Sequence, residues 1–177
     1  MIGLLFEQHG DRLRRYLAGR VGPDHADDVL SEVFLAACRR WSSYDPGRGP
    51  EIAWLFGLAT TAVRSHARDE ARHLRRVLAQ CADRPGDGAE SSEDSVARVD
   101  AQRRIRRLLP DLHLLDGIDR DILLLVAWAG LTPTEVAASL DMPAATVRSR
   151  LHRARQRLRR VDAAHDLESL PPKGFPR

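Results

Sequence analysis

The chain has 177 residues, of which 43% are hydrophobic and only 5% aromatic, and its formal net charge is +3. That is enough apolar material for one ordinary domain or two small ones, and it excludes a globally disordered chain. With so few aromatics, the cores must be built from Leu, Val and Ala, and the Ala, Leu and Arg content favours helices; no run of alternating β-branched residues marks a strand. In chain order, a first block covers residues 1–78. Phe6, Leu13 and Leu17 are spaced to line one face of an opening helix, and Gly22-Pro23-Asp24 breaks it. Leu30, Phe34, Ala37 and Trp41 then recur at the period of a second helix. Tyr44-Asp45-Pro46-Gly47-Arg48-Gly49-Pro50 is a loop. A third helix carries Trp54, Leu55, Leu58, Ala59 and Ala62 inward and then turns basic, with Arg64, His66, Arg68, Arg72, His73, Arg75 and Arg76.

Residues 79–95 change character. The run Arg84-Pro85-Gly86-Asp87-Gly88-Ala89-Glu90-Ser91-Ser92-Glu93-Asp94 is small, polar and acidic, and it predicts a flexible linker. Its acidity serves solubility; mimicry of nucleic acid is the alternative. A second block covers residues 96–162. Ile105, Leu108, Leu109, Leu112 and Leu115 open it, and Ile122 to Trp128 is apolar all round, which suits a helix buried among others. Gly130 closes that helix as a C-cap. Residues 163–177 form a tail whose Pro171-Pro172-Lys173-Gly174-Phe175-Pro176 carries no interpretable motif. The expected fold is all-α: two small helical domains joined by a flexible acidic linker, the second with a helix-turn-helix.

That motif starts at Thr132-Pro133-Thr134-Glu135. Thr132 and Glu135 are spaced for a reciprocal capping box, and Pro133 sits where a missing N–H costs nothing. Asp141-Met142-Pro143 makes the turn. A longer helix follows, with Val147, Leu151, Ala154, Leu158 and Val161 in one stripe and arginines on its other faces. From Arg148 to Arg160 there is no acidic residue. An ordinary solvated helix mixes its signs to gain i,i+4 pairs; a one-signed face repels itself unless an anion meets it, and that favours nucleic acid. A second helix of this kind presents its N-terminal part to base edges. The bases would meet Arg148, Ser149, His152 and Arg153, with Thr146 and Arg150 nearer phosphates and Arg155 on the same DNA-facing helix.

The segment from Leu131 to Leu158, above all Thr146-Val-Arg-Ser-Arg-Leu-His-Arg-Ala-Arg, resembles region four of extracytoplasmic-function (ECF) sigma factors. The first block is similar to region two: Asp27-Asp28-Val-Leu-Ser-Glu32-Val-Phe34-Leu-Ala resembles its core-binding part, and Trp54-Leu-Phe-Gly-Leu-Ala-Thr-Thr-Ala-Val-Arg-Ser-His-Ala-Arg its promoter-reading helix. The resemblance implies that region two docks on the clamp helices of the largest RNA polymerase subunit and reads the minus-ten element. Region four would read the minus-thirty-five element and touch the polymerase flap. Asp27, Asp28, Leu30, Glu32 and Phe34 would form the docking face; the plain alternative for the carboxylates is a solvated helix start. Thr60, Thr61, Arg64, His66, Arg68 and Arg72 would serve the minus-ten element, beside a pocket for a flipped base between Ser42 and Glu51. Trp41, Tyr44 and Trp54 stand nearby, to stack on bases or simply to pack. The resemblance also makes an anti-sigma partner an expectation.

Some positions depart from the pattern. Thr61 stands where relatives commonly have Asn, Glu51 where many have an aromatic, and Asp141 and Ala145 where they have Gly. Asp tolerates positive φ, so the turn is expected to survive. Lys173 is the only lysine, and a GC-rich coding bias accounts for the arginine excess as readily as DNA recognition does. Cys38 and Cys81 have no metal-ligand spacing and suit a reducing cytoplasm. His9, His25 and His66 lie in separate segments, and neither a phosphate loop nor a nucleophile elbow occurs. A cytoplasmic non-enzyme is expected, with no catalytic residue, metal, cofactor or membrane insertion. The rival is a helix-turn-helix repressor or activator that acts without core polymerase, which leaves the first block unemployed.

Overall fold

A computed structural model of the chain describes residues 2–81, 112 and 114–168. Residues 82–95 of the expected linker, together with Ile105, Leu108, Leu109 and the end of the tail, lie outside them. The described residues form six α-helices and no strand: α1 (Ile2–Val21), α2 (Pro23–Arg40), α3 (Glu51–Cys81), α4 (Gly117–Ala127), α5 (Pro133–Leu140) and α6 (Ala144–Glu168). Two short 3-10 turns, Trp41–Ser43 and Pro46–Arg48, occupy the loop between α2 and α3. The all-helical class therefore holds.

Helices α1, α2 and α3 make the first unit. Gly22, at φ 86, separates α1 from α2, and Pro23 starts α2 where its ring fits. Leu13, Leu17, Val29, Val33, Leu55 and Phe56 are fully buried around Tyr16, whose ring meets Phe56 edge-on at 5.1 Å. Phe6 departs from the expected stripe. It is 52% exposed, and Leu5 is buried instead. Its ring lies back over Gly10 of its own helix and edge-on to Phe34 at 5.0 Å, so it covers the core without entering it.

Helices α4, α5 and α6 make the second unit. Asp116 caps α4 by accepting the Asp119 N–H at 2.7 Å. The apolar run then buries Ile122, Leu123, Leu124 and Leu125, as its sequence requires. Gly130, at φ 66, closes the segment after α4. The capping box forms: Thr132 Oγ1 accepts the Glu135 N–H at 3.2 Å, and Glu135 Oε2 accepts the Thr132 N–H at 2.7 Å. Those bonds to Thr132, backbone first and hydroxyl second, hold the Glu135 carboxyl below its ordinary value. Asp141 takes the left-handed conformation at φ 53, ψ 50, so the turn survives without glycine. Val147, Leu151 and Ala154 of α6 are buried and Leu158 packs at their edge, as the stripe predicts.

A linker pattern leaves open whether the units touch, and here they do. At Gly57 of α3 an added Cβ would fall 2.4 Å from the Ser139 carbonyl oxygen of α5, a backbone atom that cannot step aside. Gly19 of α1 lies as close beneath the ring of Trp128, where a Cβ would come within 2.7 Å. Arg12 Nε donates to the Ala129 carbonyl at 3.0 Å.

Thr132→Ala removes the cap of α5 and is expected to cost about 1 kcal/mol in a urea titration. The folded-state carboxyl of Glu135 is depressed, so its contribution is present above its unfolded value and lost as pH falls through the folded one. The deficit of Glu135→Ala, which removes the carboxylate from both of its bonds to Thr132, should therefore shrink as that carboxyl is protonated; a deficit that does not fall in acid contradicts the reciprocal box.

Candidate nucleic-acid and docking surfaces

Helix α6 presents its charge as the sequence predicts. Arg148, Ser149, His152, Arg153 and Arg155 are exposed on faces away from the buried stripe, and Thr146 is half-buried near the helix start. Ser149 donates to the Thr146 carbonyl at 2.9 Å, and His152 meets Gln156 at 2.9 Å. Arg150 is placed differently. Its Nη1 lies 2.8 Å from Asp119 and 3.4 Å from Asp116, and its side chain is only 29% exposed. The Asp119 N–H first, and the Arg150 charge after it, hold the Asp116 carboxyl below its ordinary range. Arg150 thus ties α6 to the start of α4, the part of the second unit it can serve without any DNA.

On α3, Thr61, Arg64, Arg68 and Arg72 follow one another at spacings of three and four and are exposed. Arg64 is engaged: its Nε and Nη2 lie 2.8 and 2.7 Å from Asp121 Oδ2 of α4. Arg72 pairs with Asp69, one turn back. Two expected residues leave this stripe. Thr60 is 2% exposed and donates to the Phe56 carbonyl at 2.8 Å, so its hydroxyl faces the core. His66 turns toward α2, where its ring packs on His25 at 4.9 Å.

The loop between α2 and α3 is held by aromatics. Trp41, Tyr44 and Trp54 form a closed cluster with centroids 5.2 to 5.8 Å apart. The Tyr44 hydroxyl donates to the Gly49 carbonyl at 3.2 Å, and burial pushes that phenol up. All three rings are half-buried: they pack on one another and keep part of their surface exposed. A shallow depression in this loop lies between Tyr44, Arg48, Pro50 and Trp54, with Ala138 of α5 on one side.

The docking candidates divide by face. Leu30 and Phe34 are 6% and 7% exposed and belong to the core of the first unit. Asp27 forms a bidentate pair with Arg14, at 2.6 and 3.0 Å, and that bond lowers its carboxyl. Asp28 and Glu32 are exposed one turn apart, and Leu35, at 54% exposure, continues the same face. The sequence signal for Leu35 was an apolar residue lying off the buried stripe. Asp121 likewise stood out as the one acid beside an apolar run.

Comparison with known proteins agrees with these two units. The family model for Sigma-70 region 2 matches residues 5–73, and that for Sigma-70, region 4 matches residues 112–158. The ECF RNA polymerase sigma factor SigE of Mycolicibacterium smegmatis is 31% identical over 170 residues, which are 93% of this chain and 63% of that protein. The RNA polymerase sigma factor CnrH of Cupriavidus metallidurans is 31% identical over 163 residues, 88% of this chain and 83% of that one. The structure of CnrH in complex with the cytosolic domain of CnrY superposes with TM-score 0.62 at 25% identity, covering 92% and 88% of the two chains. The sigma factor RpoE from Bartonella quintana, solved with the anti-sigma factor NepR, has the same fold, with TM-score 0.63 at 23% identity and 89% and 94% coverage.

Arg153→Ala is expected to lower affinity for one duplex sequence about tenfold to a hundredfold while leaving the melting midpoint unchanged. Arg150→Ala should instead lower the melting midpoint of the second unit. Gel shifts across a duplex library, read with thermal melts, separate the two; an Arg150→Ala protein that melts like wild type contradicts its placement.

Proposed function

This chain belongs to the extracytoplasmic-function group of the sigma-70 family, and we propose that it binds RNA polymerase core and directs promoter-specific transcription initiation. The observation that carries this reading is the pairing, on one chain, of a helix-turn-helix whose second helix is faced with arginine and a separate unit bearing its own arginine stripe. A repressor needs only the first of these.

The work divides between the units. Arg148, Ser149, His152 and Arg153 read base edges of the minus-thirty-five element, with Thr146 and Arg155 toward phosphates. Thr61, Arg64, Arg68 and Arg72 hold the opened minus-ten strand beside the Ser42–Glu51 loop. Flipping a base costs a few kcal/mol, and a pocket with cationic neighbours offsets part of it. Asp28, Glu32 and Leu35 meet the clamp helices of the largest polymerase subunit, with Asp27 positioned by Arg14. The second unit also touches the polymerase flap. The domains run over residues 1–78 and 96–162, with the linker at 79–95 between them. The chain carries out no catalytic step of its own and works in the cytoplasm, where core polymerase and promoters are. RpoE of Bartonella quintana was solved with an anti-sigma factor, and a protein inhibitor of that kind is proposed for this chain as well.

Run-off transcription with purified core on a promoter library tests the reading. Wild type should start transcripts at a defined subset of promoters. Asp28→Arg, which reverses charge on an exposed site, should weaken core binding several-fold while leaving minus-thirty-five duplex binding intact. DNA binding without any core-dependent transcript favours the repressor reading instead.

A further inference from the structure

We propose that the free chain rests in a closed state in which the Asp121 carboxylate latches the two units together and occupies the arginine that the opened promoter strand needs. The proposal rests on the reading of Arg64 as a strand-binding residue; the latch itself does not.

Asp121 is the anomaly of α4. It is 2% exposed, and the four residues that follow it are buried and apolar. A buried carboxylate is costly unless paired. Among the described residues its side-chain partners belong to the other unit: Oδ1 accepts from Arg20 Nη2 of α1 at 2.6 Å, and Oδ2 from Arg64 Nε and Nη2 of α3. Arg20 is held ready for it, with Nη1 donating to the Tyr16 hydroxyl at 2.7 Å. With the first unit docked, the two guanidiniums compensate the carboxylate that docking buries.

The surrounding surfaces fit the same account. Gly57 and Gly19 give the close approach to Ser139 and Trp128 that side chains would block. Arg48 of the loop pairs with Asp141 at the turn of the second unit. Arg64 and the flank of the loop depression are thus occupied together, whereas Arg148, Ser149, His152 and Arg153 stay exposed.

Closure and promoter reading exclude each other by distance. Elements about 25 base pairs apart are separated by about 85 Å of duplex. Two units in backbone contact cannot reach both. Residues 82–111 are thirty positions and extend to about 100 Å at most, so the covalent chain permits opening. While closed molecules dominate, apparent affinity for the minus-ten strand is reduced by the open fraction.

Small-angle scattering of the full free chain tests the latch without polymerase. Wild type should be compact, and Asp121→Asn and Arg20→Gln should both be expanded with unchanged helicity. Both variants should bind mixed-sequence single-stranded DNA several-fold tighter and a minus-thirty-five duplex as wild type does. A wild-type chain already as expanded as the variants, or folded variants as compact as wild type, overturns the latch. Expansion with no gain in single-strand affinity overturns the gating of Arg64. Should Asp121→Asn lose helicity, Arg20→Gln, which leaves Asp121 its Arg64 partner, decides. Failure of run-off transcription with compaction intact removes the functional reading and leaves the latch standing.

Discussion

Helix α3 has to satisfy three neighbourhoods at once, and the rest of the molecule is arranged around that constraint. One side carries Leu55, Phe56, Ala59 and Val63 into the core of the first unit. A second must be flat enough for α5 to lie against it, which is why Gly57 meets the Ser139 carbonyl where any side chain would collide. A third holds Thr61, Arg64, Arg68 and Arg72 in a line. A helix has room for three such stripes only if the buried ones are narrow, and narrow stripes are what Ala, Gly and a few Leu provide.

Much of this was legible in the sequence, for identifiable reasons. The capping box, the α6 stripe and the left-handed turn at Asp141 are local: each is set by residues within one or two turns of each other, so spacing alone specifies them. The inward and outward faces of short helices were harder. Thr60 and Thr61 are neighbours in sequence and lie about 100° apart on the helix, and only the packing partner decides which is buried. Phe34 and Leu35 present the same difficulty, as do Phe6 and Leu5. The contact between the units left almost no trace, because its elements are single residues far apart in the chain: two glycines, a tryptophan, one acid. Arg150 is the instructive case at the site. Its position on a basic helix suggested phosphate, yet the carboxylates of Asp116, which caps α4, and of Asp119 in its first turn lie within reach, and neither is near it in sequence.

Arginine serves several ends here. At Arg148, Arg153 and Arg155 of α6 it faces solvent; at Arg14, Arg20 and Arg150 it joins helices through carboxylates; at Arg12 it reaches a backbone carbonyl. The planar fork of donors suits all of these uses and does not by itself distinguish them. What distinguishes them is whether an acid was brought within reach by the fold. A basic residue on a sequence is therefore a candidate for nucleic acid only after its intramolecular claims have been counted.

The turn of the helix-turn-helix shows how far such a claim can extend. Glycine would suit the backbone at position 141 better than aspartate, since it meets no penalty in the left-handed region. Aspartate brings in exchange a charge that touches Arg48, on a loop ninety-three residues away in the chain. Local fitness and long-range reach pull in opposite directions at that one position. A substitution to glycine that looks like the repair of a strained corner would also release a distant loop, so a protein made more robust in one part would become less restrained in another.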